Sequence, residues 1–344
     1  AGPNSTMDPL GTWGNYRNLC CLPELTWRFP EGHPGPQIEG GQPLSEATGH
    51  DVPEPVTEKR DERFSNVDRI AVPDLVKLMN EADQEVALAV GKSSAQISSA
   101  VAAISIAFNS GARLIYVGAG TSGRIATLDA SEILPTFGVA DRVLALMAGG
   151  PTALVNPLEG AEDDVSSAVS DLKVAKLSRE DVVIGVASSG STPYVQSALE
   201  FANSIGALTV AISCNQSSIL SRIASHSIEV VVGPEVIAGS SRLKAGTAQK
   251  MVLNMISTIT MIQAGKTYKN LMVDMVASNE KLRTRAIGMV QTITGVDGPD
   301  AQLALREHAW STKQAVVGIQ LGLGPEDARK ALIAAGGVLA RALG

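Results

Sequence analysis

The chain has 344 residues, room for one large α/β domain and a small one, and its formal net charge of −7 argues against nucleic acid as the main partner. Hydrophobic residues make up 44% but aromatics only 3%, so Ala, Val, Ile and Leu must build the core, as buried parallel strands prefer. Cys20, Cys21 and Cys214 are too few for a disulfide framework, and no run approaches about 18 apolar residues, so no membrane span is expected and a soluble cytoplasmic protein is.

Residues 1–56 are rich in Gly and Pro, show no sustained period, and hold Trp13, Trp27 and the Cys20-Cys21 pair. They are expected to form a flexible extension or an expression remnant. Asp74, just after Pro73, opens a helical pattern, and a second helix is expected near 95–108, with Ile97, Val101, Ile104 and Phe108 on one face. Apolar runs at 113–117, 143–147, 182–187, 208–212 and 228–232 then alternate with helical stretches. That alternation predicts a doubly wound parallel sheet, an α/β fold. Residues 250–263 are apolar nearly all round, which suits a helix buried in a core or a subunit interface. From Pro299 onward, short helices are expected at 299–309, 312–320 and 325–342.

Two strand-to-helix loops carry the chemical signal. The first is Gly118-Ala119-Gly120-Thr121-Ser122-Gly123, after the run ending at Val117. It fits G-x-G-x-x-G, but the next strand does not end in the acidic residue that a dinucleotide ribose needs, and there is no G-K-[ST]. A terminal phosphate, a dinucleotide and a plain tight turn all remain open for this loop, and a helix start with two hydroxyls suits the phosphate best. The second is Ser188-Ser189-Gly190-Ser191-Thr192-Pro193, after the run ending at Ala187, where Pro193 suits a first helical turn. In an open parallel sheet both loops fall at the carboxyl ends of strands, where ligands bind. Hydroxyl-rich turn chemistry alone would also produce such a string. His33, His50, His226 and His308 are scattered without metal-ligand spacing, so no metal is expected.

Longer strings add a resemblance. Gly118 to Arg124, Leu128-Asp129-Ala130-Ser131-Glu132, Glu159-Gly160-Ala161-Glu162-Asp163 and Thr192-Pro193-Tyr194-Val195 resemble the N-acetylmuramic acid 6-phosphate etherases. So do Ile212-Ser213-Cys214-Asn215, Gly233-Pro234-Glu235-Val236, the stretch Gly239 to Lys250, Asn270 to Asp274 and Asn279 to Leu282. The resemblance runs from about Thr57 to the C-terminus and does not cover residues 1–56. It implies a flavodoxin-like sugar-isomerase (SIS) domain over 57–286 with leading helices, a small helical domain over 287–344, a cytoplasmic homodimer with its site near the subunit interface, and no cofactor. The implied substrate is a small sugar phosphate, with neither nucleic acid nor membrane as partner, and the implied reaction releases D-lactate and N-acetylglucosamine 6-phosphate.

The implied catalytic pair is Glu132 and Glu162, with Glu132 the acid for the departing lactate and Glu162 the base at C2. Thr121, Ser122, Gly123, Ser189, Ser191 and Thr192 are the implied phosphate ligands, and Glu235, Ser240 and Lys244 are further substrate-site candidates. Taken alone, either glutamate reads as an ordinary solvated residue of a helix. Glu132 follows Thr121 by 11 positions, about 16 Å along a straight helix, so either that helix breaks early or Glu132 serves a site formed with another subunit. Where family members commonly carry arginine before Thr-Pro-Tyr, this chain has Ser191. A loss of guanidinium there bears on anion binding and on the substrate's distal group. Two other readings stay open: a sugar-phosphate sensor acting on a partner protein, and an aldose–ketose isomerase. A transcriptional regulator would need a basic helix-turn-helix, and residues 57–95 are not basic enough for one.

Overall fold

Five short parallel strands form one sheet in the order β2-β1-β3-β4-β5 in the computed structural model, which describes residues 55–344. The Cys20-Cys21 pair, both early tryptophans and nearly all of the expected N-terminal extension lie outside the described residues. Helices α1 (Val72–Lys92) and α2 (Ser94–Asn109) lead into β1 (Leu114–Gly118). Then come α3 (Gly120–Ser131), α4 (Ile133–Phe137), β2 (Val143–Met147), α5 (Val165–Val174) and β3 (Val182–Val186). They are followed by α6 (Pro193–Ser204), β4 (Leu208–Ser213), α7 (Ile219–Ile223), β5 (His226–Glu229) and α8 (Lys244–Gln263). The C-terminal part holds α9 (Glu280–Thr294), α10 (Gly298–Glu307), α11 (Thr312–Leu321), α12 (Pro325–Ala334) and α13 (Leu339–Leu343).

The strands are buried on both faces at the centre of the sheet and only partly at β2 and β5, its edges. Alternation along β1 and β3 explains the two layers. Leu114, Tyr116, Val182 and Ile184 face a core shared with Val90, Ile104, Val252 and Ile256 of α1, α2 and α8. Ile115, Val117 and Val183 face the other, with Leu172 of α5 and Tyr194 and Leu199 of α6. The lower end of the sheet is pinned by Asp181, which accepts from Arg113 Nη2 at 2.6 Å and from the Arg113 main-chain N–H at 3.1 Å.

The fifth expected strand is displaced. Of the apolar run 228–232 only Ile228 and Glu229 pair with β4, because β4 ends at Ser213; Val230 still donates to Ser213 O at 2.8 Å, and Val232 then buries without a ladder. The expected helix 325–342 is two helices, parted by Gly336 and Gly337, whose φ values are +66° and +75°. Position 287 falls inside α9, and the apolar cluster under the last helices already includes Val273 and Met275. No helix among the described residues is long and apolar enough to cross a membrane.

Candidate active site

The reversal of strand order lies between β1 and β3, which pair in register from Leu114↔Val182 to Gly118↔Val186. The loops leaving β1 and β3 lie side by side at the carboxyl edge of the sheet, the place where an open parallel sheet ordinarily binds its ligand. These are the two hydroxyl-rich loops.

In the first, Ala119 is extended (φ −128°, ψ 157°) and α3 starts at Gly120, at φ +53°. Gly123 donates its N–H to Ala119 O at 3.1 Å, the first intrahelical bond, so the N–H groups of Gly120, Thr121 and Ser122 remain at the helix start. Gly123 serves close packing as well: a Cβ there would lie 2.9 Å from Gly118 O and from Met147 Cγ. In the second loop, Gly190 takes φ +70° and Ser191 donates its N–H to Ser189 Oγ at 3.2 Å. Thr192 stands at the N-cap position of α6 with no side-chain capping bond, and Pro193 follows in the first turn. Thr121, Ser189 and Thr192 are half-buried, Ser191 is exposed, and Ser122 is buried.

A single side chain joins the loops. Ser122 Oγ donates to Gln249 Oε1 at 2.9 Å, and Gln249 Nε2 donates to Ser188 Oγ at 2.9 Å, so α8 ties the two loops from below. Asn215 ties the second loop to the segment before α1. Its Nδ2 donates to Ser188 O at 3.0 Å, Ser189 O at 3.3 Å and Thr57 Oγ1 at 3.2 Å, while its Oδ1 accepts from Val56 N–H at 2.6 Å. The segment around Thr57 and Glu58 thereby lies beside the second loop, and Gly239 N–H bonds to Thr57 O at 3.2 Å. Sequence reasoning assigned no role to Thr57, Ser188, Asn215 or Gln249. The strings around Asn215 and Gln249 were the available signal, but their partners lie 158 and 127 positions away in the chain.

Glu162 sits in a 3-10 turn, Ala161–Asp163, ahead of α5, and its exposed carboxylate reaches the first loop. A Cβ on Gly120 would lie 2.7 Å from Glu162 Oε1. Arg124 braces the preceding segment, donating to Ala153 O at 2.7 Å and Leu154 O at 3.0 Å.

Glu132 is elsewhere. Helix α3 runs unbroken to Ser131, and exposed Glu132 forms the corner between α3 and α4. The early break is therefore not what happens, and Glu132 lies about 16 Å along the helix from the first loop of its own chain. The corner is anchored by buried Asp129, which accepts from Asn254 Nδ2 at 2.6 Å, Tyr116 Oη at 3.0 Å and Ser257 Oγ at 3.1 Å. Burial raises the Asp129 pKa against the pull of these donors.

The other candidates are engaged within the fold. Glu235 accepts the N–H groups of Lys244 and Ala245, each at 2.9 Å, and so caps α8; burial raises its pKa although these bonds oppose it. Lys244 is wholly buried, donates to Val232 O at 2.8 Å and lies 3.7 Å from Glu85 Oε2. Ser240, half-buried, follows Gly239 in the loop beside Thr57. Burial pushes the Cys214 thiol up to about 12, which makes it a poor nucleophile.

Residues 164–259 match the SIS domain, and residues 96–203 match the N-terminal SIS domain of glucokinase regulatory protein. An N-acetylmuramic acid 6-phosphate etherase of Rhizobium rhizogenes is 49% identical over 84% of this chain and 94% of its own. One from Rubrobacter xylanophilus is 50% identical over 83% of this chain and 95% of its own. A third, from Oenococcus oeni, is 46% identical over 85% and 99%.

Proposed function

The chain belongs to the N-acetylmuramic acid 6-phosphate etherase family, and from that premise we infer how its residues carry the reaction. It is a carbon–oxygen lyase that cleaves the lactyl ether of N-acetylmuramate 6-phosphate. The observation that carries the residue-level reading is the pair of helix starts that follow neighbouring strands at the β1/β3 reversal, bridged by Gln249, with the Glu162 carboxylate against one of them.

The 6-phosphate sits between the loops. The N–H groups at the start of α3, the start of α6, and the hydroxyls of Thr121, Ser189, Ser191 and Thr192 supply donors from several directions, and both helix dipoles favour the anion. With Ser191 in place of arginine, phosphate affinity rests on these neutral donors.

The ether at C3 is unactivated, and elimination avoids direct displacement of a poor leaving group. In the open-chain sugar, C2 lies α to the C1 aldehyde. Glu162 as carboxylate takes the C2 proton; the C–H electron pair becomes the C2–C3 double bond, and the C3–O bond breaks. Glu132 as carboxylic acid protonates the departing lactate oxygen. Water then adds at C3 and C2 regains a proton, giving N-acetylglucosamine 6-phosphate.

The unbroken α3 keeps Glu132 away from the phosphate loop of its own chain, so Glu132 acts in a site completed by a second copy. Exposed Leu128 and Leu134 flank Glu132 and fit an interface there. A cytoplasmic homodimer follows from this reading, since a phosphorylated sugar is too charged to cross a bilayer unaided.

Incubation with N-acetylmuramate 6-phosphate should release D-lactate, and unphosphorylated N-acetylmuramate should be processed far more slowly. In isotopically labelled water the sugar product should gain solvent oxygen at C3 and solvent hydrogen at C2. Solvent oxygen appearing in lactate would mean cleavage on the lactyl side and would exclude elimination.

A further inference from the structure

We propose that Lys313, in the C-terminal helices, is a positioning residue for Glu132 and acts through Asp274. The proposal rests on the assignment of Glu132 as the acid.

Lys313 is the second residue of α11, and its side chain is 7% exposed. Its ammonium has three donors and three close acceptors: Asp274 Oδ2 at 2.5 Å, Gly337 O at 2.7 Å and Gly265 O at 2.8 Å. One nitrogen thus ties the turn after α8, the loop before α9 and the turn between α12 and α13. Burial lowers the lysine's pKa, and the Asp274 carboxylate opposes that shift. An apolar residue would fill such a position at less desolvation cost. What the ammonium adds is direction: three acceptors in set places fix three segments relative to one another.

Asp274 passes this on. Its carbonyl oxygen packs against Gly138, where a Cβ would overlap it, and Gly138 has φ +64°. Two residues further, Val276 donates its N–H to Pro135 O at 3.4 Å. Pro135 and Gly138 belong to α4 and its C-terminal cap, and the N-cap of α4 is Glu132. A five-residue helix cannot hold its own geometry, so its placement comes from what it packs on. Ile133 and Phe137 bury inward, and the Asp274–Val276 loop closes the outside. Val273 and Met275 of that loop are part of the C-terminal apolar cluster, which makes the last helices a buttress for the Glu132 corner.

The phosphate loops have no part in this network, and that separates positioning from general support. Lys313→Met keeps the length of the side chain, and Lys266, 3.3 Å from Asp274 Oδ2, still compensates the carboxylate. In the full-length chain, kcat for lactate release should fall about 10–100-fold with KM for N-acetylmuramate 6-phosphate unchanged within about twofold, the loss a displacement of about 1 Å produces. Exchange of the C2 proton with solvent, which needs only Glu162, should survive. Asp274→Asn and Gly138→Ala should show the same selective loss of kcat. Val316→Ala, which opens a cavity in the same C-terminal cluster, should lower the melting temperature and leave kcat in place. Wild-type kcat in Lys313→Met together with an inactive Glu132→Gln would overturn the proposal, as would an equal loss of kcat in a Val316→Ala protein of matched stability. Lactate release at the wild-type rate by Glu132→Gln would instead overturn the assignment of Glu132 on which the proposal stands.

Discussion

The carboxylate of Glu162 lies against the backbone of Gly120, so close that a Cβ at position 120 would come within 2.7 Å of Oε1. Gly120 is also the first residue of α3 and adopts φ +53°. Gly120→Ala therefore combines left-handed strain of about 1–2 kcal/mol with displacement of Glu162. Lactate release should fall by about 10²-fold or more, toward the level of Glu162→Gln, whose expected loss is about 10²–10⁴-fold. Solvent exchange at C2 should fall in parallel in both variants. Full exchange in Gly120→Ala would mean that Glu162 does not act from this position.

The serines of the two loops should separate into a structural and a ligand-facing kind. Ser122 spends its hydroxyl proton on Gln249, whereas Ser189 Oγ accepts from Ser191 N–H and keeps its proton for a ligand. Ser122→Ala leaves the buried Gln249 oxygen without that donor and should cost about 1–3 kcal/mol of stability. Ser189→Ala should leave the melting temperature nearly unchanged and weaken N-acetylglucosamine 6-phosphate binding by about 1–3 kcal/mol. Calorimetric titration beside thermal melts checks both, and the opposite pattern would remove Ser189 from the phosphate site.

The sheet and the two loops were legible because each is a local property. Buried runs such as Val182 to Val186 need no distant information to read as strands, and glycine with hydroxyls at a strand end announces a tight approach and free donors. The end of β5 was not legible, since it is set by where β4 stops at Ser213. The Gln249 bridge, the Thr57–Asn215 contact and the Asp129 cluster were hidden for the same reason: each joins groups that only the fold brings together. Lys313 carries no local sign at all, because a lysine near a helix start ordinarily faces water. Helix rise alone put Glu132 far from the first loop only on the condition that α3 does not break early, and it is the unbroken α3 of the fold that removes that alternative.

Acid should loosen the lower end of the sheet through Asp181. Burial pushes this carboxyl's pKa up, but the Arg113 side chain and the N–H groups of Ser178 and Arg113 outweigh that and hold it below the usual value. A depressed folded-state pKa contributes stability above the unfolded value, about 3.9, and that contribution is lost as pH falls through the folded-state value. Asp181→Asn should therefore be less stable than wild type at neutral pH, by about 1–3 kcal/mol, the cost of removing one partner from buried charge-assisted hydrogen bonds. The gap should narrow below about pH 4. Denaturant melts at pH 7 and pH 3.5 measure it, and a gap that stays constant would assign the loss to packing rather than to charge.

The two glutamates should complement each other across subunits. Glu162 lies at the first loop of its own chain, while the unbroken α3 holds Glu132 at the opposite end of that helix. If each active site draws Glu162 from one copy and Glu132 from the other, Glu132→Gln and Glu162→Gln homodimers are both inactive. A mixed dimer then contains one site with both glutamates intact and one with neither. Co-expression of the two variants with different affinity tags, followed by purification through both, isolates that mixed dimer. It should release lactate at about half the wild-type rate per dimer, a recovery far above the 10²–10⁴-fold loss expected of each homodimer. Because the phosphate loops are untouched in both variants, KM should stay near the wild-type value. Persistent inactivity of verified mixed dimers would place both carboxylates of a site in one chain and would overturn the reading in which the two glutamates come from different copies.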